Sequence, residues 1–168
     1  LQARAREARY ETLASVAAEL GADRIARGHT ADDQAETVLA RLLRGAGVRG
    51  LAAMAPFRRA GSGPALVRPL LDSRRASLRA HLEWAGRTWI ADPSNDDPRF
   101  ERVRLRRRLA ELEAEDPQIV AHLVDLARDA RAHGEVVEAA AAALGANPSL
   151  ASLAEAPEAV RRSALRGW

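Results

Sequence analysis

The sequence predicts an α/β domain followed by a helical segment, with most of the chain helical. Two observations predict this class. Apolar residues recur every three or four positions over long stretches, as they do on the buried face of a helix. Between the first two such stretches, residues 24–28 form a short run of strand length, which gives the helix–strand–helix order of α/β folds. With 168 residues, 47% of them hydrophobic, the chain is large enough for a packed core.

The first helix is predicted from Arg4 to Leu20, because its apolar positions lie three and four residues apart and Gly21 is placed to end it. The strand Arg24–Gly28 follows. The next helix begins after Thr30, which forms a capping-box pattern with Asp33 three residues later. Its apolar stripe leads into a loop of three glycines, Gly45, Gly47 and Gly50.

The middle of the chain is predicted to hold turns, one strand and a basic helix. Residues 56–64 have turn composition, and Leu66–Arg68 is predicted as an edge strand because Pro69 follows it. A helix then spans Ser73–Trp84. Its expected buried residues are Ala76, Leu78, Leu82 and Ala85. Its expected solvent-exposed residues are Arg74, Arg75, Arg79 and Glu83.

The last part of the chain is predicted to be helical. Asp97 is a suitable N-cap and Pro98 suits the first position of a helix that runs to about Glu113. The apolar residues of this helix are Phe100, Val103, Leu105 and Leu109. After Pro117 an alanine-rich helical pattern follows, with few polar groups. We therefore expect one domain over residues 1–114 and a helical linker, or the start of a second domain, over residues 115–168.

Composition narrows the function classes. The chain has no cysteine, which excludes disulfides, a thiolate zinc site and a cysteine nucleophile. No stretch approaches the roughly 20 apolar residues of a membrane span, and no secretory signal begins the sequence, so we expect a cytoplasmic location. All 26 basic residues are arginine, whose planar fork suits phosphate. Genomic base composition explains this bias equally well, so only the positions of the arginines along the chain can indicate a phosphate-binding site.

The first candidate site is the run from Gly28 to Thr37, where a strand ends and a helix begins. Ligands of α/β sheets bind at the carboxyl ends of strands, and a helix N-terminus favours anions. His29 adds a titratable ring next to Asp32 and Asp33. The alternative is that these acids only cap the helix and that the histidine is a half-buried structural residue.

The second candidate is the run Arg44–Gly50, which matches G-x-G-x-x-G in letters only. A dinucleotide fingerprint follows a strand and opens a helix, whereas a helix precedes this loop. The glycines leave backbone groups accessible next to Arg44 and Arg49, which suits phosphate. A simple helix-ending loop is the alternative.

The third candidate is the turn Asp92–Asp97 with the arginine-rich helix after it. A calcium loop is excluded, because its sixth and twelfth positions hold Asp97 and Val103 rather than Gly and Glu. A contact with a nucleic-acid backbone fits the arginines better than a solvated charge run. These arginines are Arg99, Arg102, Arg104, Arg106, Arg107 and Arg108.

Three blocks of the sequence resemble the tRNA(Ile)-lysidine synthetases, a family of PP-loop ATPases. They are residues 25–39 with their continuation 44–47, then Arg68–Leu71, then Trp89–Asn95. The resemblance covers about Ala3 to Leu112. It implies that residues 1–114 are the C-terminal part of a Rossmann-like PP-loop catalytic domain of the adenine nucleotide alpha-hydrolase type.

The resemblance also implies an activity. Such an enzyme adenylates the C2 carbonyl oxygen of the wobble cytidine of tRNA(Ile) with a CAU anticodon, and the amine of free L-lysine then displaces AMP to give lysidine. ATP would arrive with Mg²⁺, close to Asp32 or Asp33, and no metal site made of protein ligands alone is expected. The oligomeric state, monomer or homodimer, stays open.

The site residues implied by the resemblance fall into two groups. The nucleotide-binding candidates are His29, Asp32, Asp33, Glu36, Gly45 and Gly47. The catalytic candidates are Arg44, Arg102 and Arg106.

Two departures from the family pattern bear on activity. The Ser-Gly-Gly-x-Asp-Ser loop that wraps ATP is absent, so we expect these 168 residues alone neither to bind ATP normally nor to turn over. Val103 stands where the family commonly has a polar residue. Two other functions remain open: a PP-loop tRNA modifier of the 2-thiolation type, and a non-catalytic basic helical module that binds nucleic acid.

Overall fold

The structure, a computed structural model, describes residues 2–59, 63–90, 97 and 99–167. Short strands lie among helices in the first half, and the second half is helical. In chain order the elements are α1 (Gln2–Glu19), β1 (Arg24–Ala26), α2 (Ala31–Leu43), α3 (Val48–Leu51), β2 (Phe57–Arg58), β3 (Ala65–Val67), α4 (Arg75–Trp84), α5 (Glu101–Glu115), α6 (Ile119–Ala143), α7 (Leu150–Glu155), α8 (Glu158–Ala164) and a 3₁₀ turn (Leu165–Gly167).

The ends of the predicted helices follow from local chemistry. Gly21 and Gly45 adopt φ angles of +63° and +72°, a left-handed conformation that ends α1 and α2 at little cost only in glycine. At the start of α2 the predicted capping box is present. Asp33 Oδ2 accepts from the Thr30 N–H at 2.8 Å, and Thr30 Oγ1 accepts from the Asp33 N–H at 3.3 Å.

The sheet has three strands in the order β1-β3-β2. β1 pairs in parallel with β3, with Ile25 opposite Leu66, and β2 pairs antiparallel with β3. The prediction of an edge strand at Leu66–Arg68 was therefore wrong, because β3 is the central strand. Phe57–Arg58 lies inside the stretch of turn composition and supplies the missing neighbour. The position of Pro69 is compatible with a central strand, because β3 ends at Val67, two residues before the proline.

Helix α4 is less buried than its pattern predicted. Leu78 and Leu82 are half-buried, whereas Ala76 and Ala85 are exposed. The prediction that Arg74 and Arg75 stay in solvent was also wrong, since both form ion pairs with carboxylates of other helices.

Two further boundaries differ from the predictions. Asp97 is not a helix N-cap, because Phe100 occupies that position and α5 begins at Glu101. Gly50 lies in the helical turn α3 rather than in an open loop. The predicted turn over residues 92–96, and Pro98, lie outside the described residues.

The core is formed where α2 packs against α5 and α6. Its buried residues are Ala31, Ala35, Val38, Leu109, Val120, Leu123 and Ala127. Ala35, Val38 and Ala127 are fully buried, so the apolar stripe of α2 faces helix α6 of the second half. Within the described ranges, no helix has both the length and the apolar character that crossing a membrane requires.

Candidate active site

Two arginines and a histidine meet at the carboxyl edge of the parallel strands. Arg27 follows β1 and Arg68 follows β3, so the parallel pairing brings both residues to the same edge. The Arg27 N–H donates to the Val67 carbonyl at 2.9 Å, which extends that pairing by one residue. Arg68 Nε donates to His29 Nδ1 at 3.3 Å. The predicted position of His29 at a strand end is confirmed, and its two cationic neighbours were not predicted.

The surroundings of His29 disfavour its protonated form. Burial lowers its pKa, and so does the charge of Arg27; Asp33 raises the pKa, and Arg68 and Arg102 lower it further. The net pKa lies below the ordinary value of 6.5. The imidazole is therefore neutral at physiological pH.

Asp33 connects the capping box to the arginines of two other helices. Its Oδ1 accepts from Arg75 Nη2 at 2.9 Å and from Arg102 Nη2 at 2.6 Å, while Oδ2 serves the Thr30 cap. Burial raises the pKa of Asp33, but the Thr30 N–H and the charges of Arg102 and Arg75 outweigh it, so the pKa is lowered. The side chain is therefore an anion, and each of its two carboxylate oxygens accepts hydrogen bonds.

Glu36 is the most buried carboxylate of the group, with 2% exposure. Three guanidinium groups converge on it. Arg75 Nη2 and Arg106 Nε lie 3.3 and 3.0 Å from Oε1, and Arg102 Nε lies 2.8 Å from Oε2. A buried carboxylate is tolerated only where such partners compensate for lost hydration. Glu36 therefore fixes the relative positions of α4, α5 and α2.

Asp32 and Glu113 extend the cluster on its other side. Arg74 Nη2 donates to Asp32 Oδ1 at 3.2 Å and to Glu113 Oε1 at 2.7 Å, and the Arg75 N–H donates to Asp32 Oδ2 at 2.7 Å. Burial raises the pKa of Asp32, but these hydrogen bonds and charges outweigh it and lower the pKa. The acid therefore also caps the start of α4.

We call this group the α2 ion cluster: Asp32, Asp33, Glu36, Arg74, Arg75, Arg102, Arg106 and Glu113. It brings Arg102 and Arg106 to the acids of α2 although they lie 66 to 70 residues away in sequence. The Arg102 side chain keeps 53% exposure, and its charge acts on His29. An exposed guanidinium next to a neutral imidazole can bind an anion.

Arg44, Gly45 and Gly47 lie at the opposite end of α2. Arg44 is eleven residues after Asp33, which on a helix rising about 1.5 Å per residue is about 16 Å along the axis. There Arg44 forms an exposed ion pair with Glu101 at 3.3 Å, and Arg49 forms one with Glu138 at 3.0 Å. The structure thus brings together His29, Asp33 and Arg102. This loop lies at the other end of α2, where Arg44 pairs with the residue that precedes Arg102 on α5.

Four arginines of the site were missed or misplaced by sequence reasoning: Arg27, Arg68, Arg74 and Arg75. One signal was available, since Arg68 is the last residue of one predicted strand and His29 directly follows the other. Parallel pairing of the two strands would have placed both residues at one edge. The ion pairs between the start of α4 and α2 could not be predicted from the spacing of apolar residues along either helix.

Across the residues that the structure describes, no three His, Asp or Glu side chains are grouped as metal ligands. A small open pocket lies elsewhere, on another face of α2, and is lined by Gln34, Pro56, Leu71, Asp72, Val124, Arg128 and Arg131. It contains none of the predicted site residues.

Comparison with known proteins identifies the domain and its relatives. A PP-loop domain model matches residues 1–113. The chain is 48% identical over 160 residues to a tRNA(Ile)-lysidine synthase of Bradyrhizobium sp., covering 94% of this chain and 43% of the relative. It is 53% identical over 116 residues to a tRNA(Ile)-lysidine synthase of Rhodopseudomonas palustris, covering 68% of this chain and 33% of that protein. The chain thus spans less than half the length of these curated relatives.

A solved structure shares the fold. The U34-tRNA thiolase NcsA from Methanococcus maripaludis, determined with its [4Fe-4S] cluster, matches with a TM-score of 0.61 and 20% identity, over 77% of this chain and 43% of the thiolase chain. The predicted α/β class and the resemblance stated from the sequence are confirmed. The chain belongs to the PP-loop domain family.

Proposed function

We propose that this chain is part of an ATP-dependent tRNA ligase that converts the wobble cytidine of tRNA(Ile) to lysidine. In this reaction the C2 carbonyl oxygen of the base attacks the α-phosphate of ATP and releases pyrophosphate, and the amine of free L-lysine then attacks C2 and displaces AMP. Residues 1–114 would belong to the catalytic domain, and residues 115–168 to a helical linker or the start of a second domain. The tRNA with a CAU anticodon and L-lysine are the proposed partners, and a homodimer remains open.

The observation that carries the proposal is the contact of Arg102 with Asp33 and Glu36. It joins the first block that resembles the lysidine synthetases to the arginine-rich helix that follows the third block, at the carboxyl edge of the parallel strands. A site assembled from distant segments around a half-exposed guanidinium suits a reaction that has to hold a nucleotide and an RNA base together. Relatives of 48 and 53% identity that carry this activity support it.

The residues at the sheet edge fit the phosphates of ATP. His29 is neutral, Arg27 and Arg68 are cations, and Arg27 Nη1 is a buried nitrogen with no hydrogen-bond partner. Such a donor set suits an anion. Bound ATP would supply the adenylyl group. His29, Asp32, Asp33 and Glu36 would bind and orient the nucleotide side, directly or through the arginines that they hold.

The acids of the site fit a magnesium ion less well than the arginines fit phosphate. The oxygens of Asp32 and Asp33 already accept hydrogen bonds from Arg74, Arg75 and Arg102. Magnesium prefers several free oxygens in octahedral geometry. We therefore propose that Mg²⁺ enters with the nucleotide.

The arginines divide into two proposed contacts. Arg102 and Arg106 lie on one face of α5 and would neutralise charge that develops on the reacting base and phosphate. Arg44, with the exposed backbone of Gly45 and Gly47, would hold an RNA phosphate away from the reacting atoms. The exposed position of the Arg44 side chain and of Gly45 and Gly47 supports this contact.

The test is lysine transfer by the protein expressed from the whole reading frame that contains this chain. Radiolabelled L-lysine should enter a tRNA(Ile) transcript with a CAU anticodon only when ATP is present. Arg102→Ala should slow the reaction about 100-fold, the typical cost of one donor to developing charge. Glu111→Ala is the matched control, because it removes an exposed charged side chain from the same helix.

Other outcomes separate the alternatives. Incorporation of sulfur in place of lysine would make the chain a thiolation enzyme, although these 168 residues contain no cysteine to hold a cluster. Binding of the tRNA without any ATP-dependent modification would make it a binding module. Either result overturns the proposal.

A further inference from the structure

Arg68 is a buried cation whose place in the Arg68–Leu71 block is not explained by packing. It is 6% exposed, and its backbone N–H donates to the Pro56 carbonyl at 2.8 Å. One arm of its guanidinium, Nη1, donates to the Ala55 carbonyl. The Nε–H points to His29 Nδ1 at 3.3 Å. A buried arginine that donates to an imidazole nitrogen constrains the proton on that ring.

The constraint follows from the chemistry of the two groups. A guanidinium stays protonated in proteins and only donates. The Nδ1 atom of His29 must therefore carry a lone pair to accept the Nε–H of Arg68. In a neutral imidazole the single ring proton then lies on Nε2. The carbonyl of Ala55 holds Nη1 and so limits rotation of the guanidinium away from the ring.

The charges around His29 act in the same direction. The charged groups that act on it are Arg27, Arg68 and Arg102, against one carboxylate, Asp33. Protonation of Nδ1 would place two N–H donors face to face and add a cation among three others. The ring thus has one favoured state, neutral with the proton on Nε2.

We propose that Arg68 is a positioning residue that holds His29 as the neutral Nε2–H tautomer, so that the ring donates a hydrogen bond instead of acting as a base. The acceptor class is an anionic oxygen such as a phosphate oxygen of a nucleotide. The identity of the acceptor rests on the proposed function, whereas the tautomer of His29 does not.

The tautomer can be measured directly in the protein expressed from the whole reading frame that contains this chain. Two-bond ¹H–¹⁵N correlation of ¹⁵N-labelled imidazole rings distinguishes a protonated nitrogen from one with a lone pair. The chain has four histidines, so the His29 signals are assigned by their loss in His29→Gln. The expected result at neutral pH is a protonated Nε2 and an unprotonated Nδ1.

Two variants separate hydrogen bonding from charge. Arg27→Met and Arg68→Met each remove one cation that lowers the His29 pKa, so each should raise it. Only Arg68→Met removes the donor to Nδ1, so only this variant should give a mixture of both tautomers. Arg27→Met is the matched control and should keep the proton on Nε2.

The inference fails if the wild-type ring carries its proton on Nδ1, or if Arg68→Met leaves the tautomer unchanged. Should Arg68→Met not fold, the wild-type spectrum alone decides between the two tautomers. No assay of lysine transfer enters this experiment. A chain with the Nε2–H tautomer and no transferase activity would keep this inference and lose the proposed function.

Discussion

The two ends of α2 contain the same kinds of residue but have different environments. At the first end Glu36, with 2% exposure, and Asp33, with 8%, hold guanidinium groups from α4 and α5. At the other end Arg44 and Glu101 form a single ion pair with both side chains more than half exposed. The sequence marks both ends as candidate phosphate sites. Burial, rather than residue type, distinguishes them.

The physical reason is the cost of removing charge from water. An exposed pair gains little, because water and salt screen it, and such pairs contribute about 0–1 kcal/mol. A buried charge is costly unless its partners stay in place, so loss of one member leaves the others uncompensated. The α2 ion cluster is therefore a rigid unit, whereas the Arg44 loop is free to adapt to a ligand.

The sharpest way to break this comparison is Glu36→Gln. The substitution keeps the shape but removes the charge on which three guanidinium groups converge, and we expect it to lower the free energy of unfolding by about 3–5 kcal/mol. Glu101→Gln makes the same chemical change in the exposed pair and should alter it by less than about 0.5 kcal/mol. Urea unfolding followed by circular dichroism measures both. Equal effects would show that burial does not separate the two ends.

A second test compares the caps at the two ends of α2. Thr30→Ala removes the side-chain acceptor of the capping box and should cost about 1 kcal/mol. Gly45→Ala introduces a Cβ at a φ of +72°, where no atom lies within 4 Å, so backbone strain alone should cost about 1 kcal/mol. The same unfolding measurement applies. Similar costs would assign the difference between the ends to the ion cluster, and a much larger cost for Gly45→Ala would contradict this.

The smallest expected effect is the dependence of stability on pH. Because the pKa of folded His29 lies below 6.5, the unfolded chain binds a proton first as pH falls. Stability should therefore decrease as pH falls from about 6.5 towards the lowered pKa. The pKa values of Asp32 and Asp33 lie below 3.8, so their contribution is present above that value and is lost as pH falls through the folded pKa. In His29→Gln the decrease near neutral pH should disappear; its persistence would assign that step to another group.

Local rules predicted a large part of the fold. The capping box of Thr30 and Asp33 and the glycine at position 21 depend on neighbours within a few residues, so the sequence contains the whole interaction. The failures were non-local. Arg74 and Arg75 look like a solvated pair on α4 because their carboxylate partners lie about 40 residues away, on α2 and α5. Phe57–Arg58 has too few residues to show a strand pattern.

By itself the sequence determined where the long helices lie, that His29 stands at a strand end, and that arginines follow one another along α5. These properties come from periodicity, capping and turn preferences, which act over a few residues. The tertiary structure decided which charges meet: it placed Arg102 and Arg106 on Glu36, put Arg68 against His29, and left Arg44 in solvent. The reason is that desolvation depends on how elements pack against one another, and local sequence does not encode that packing.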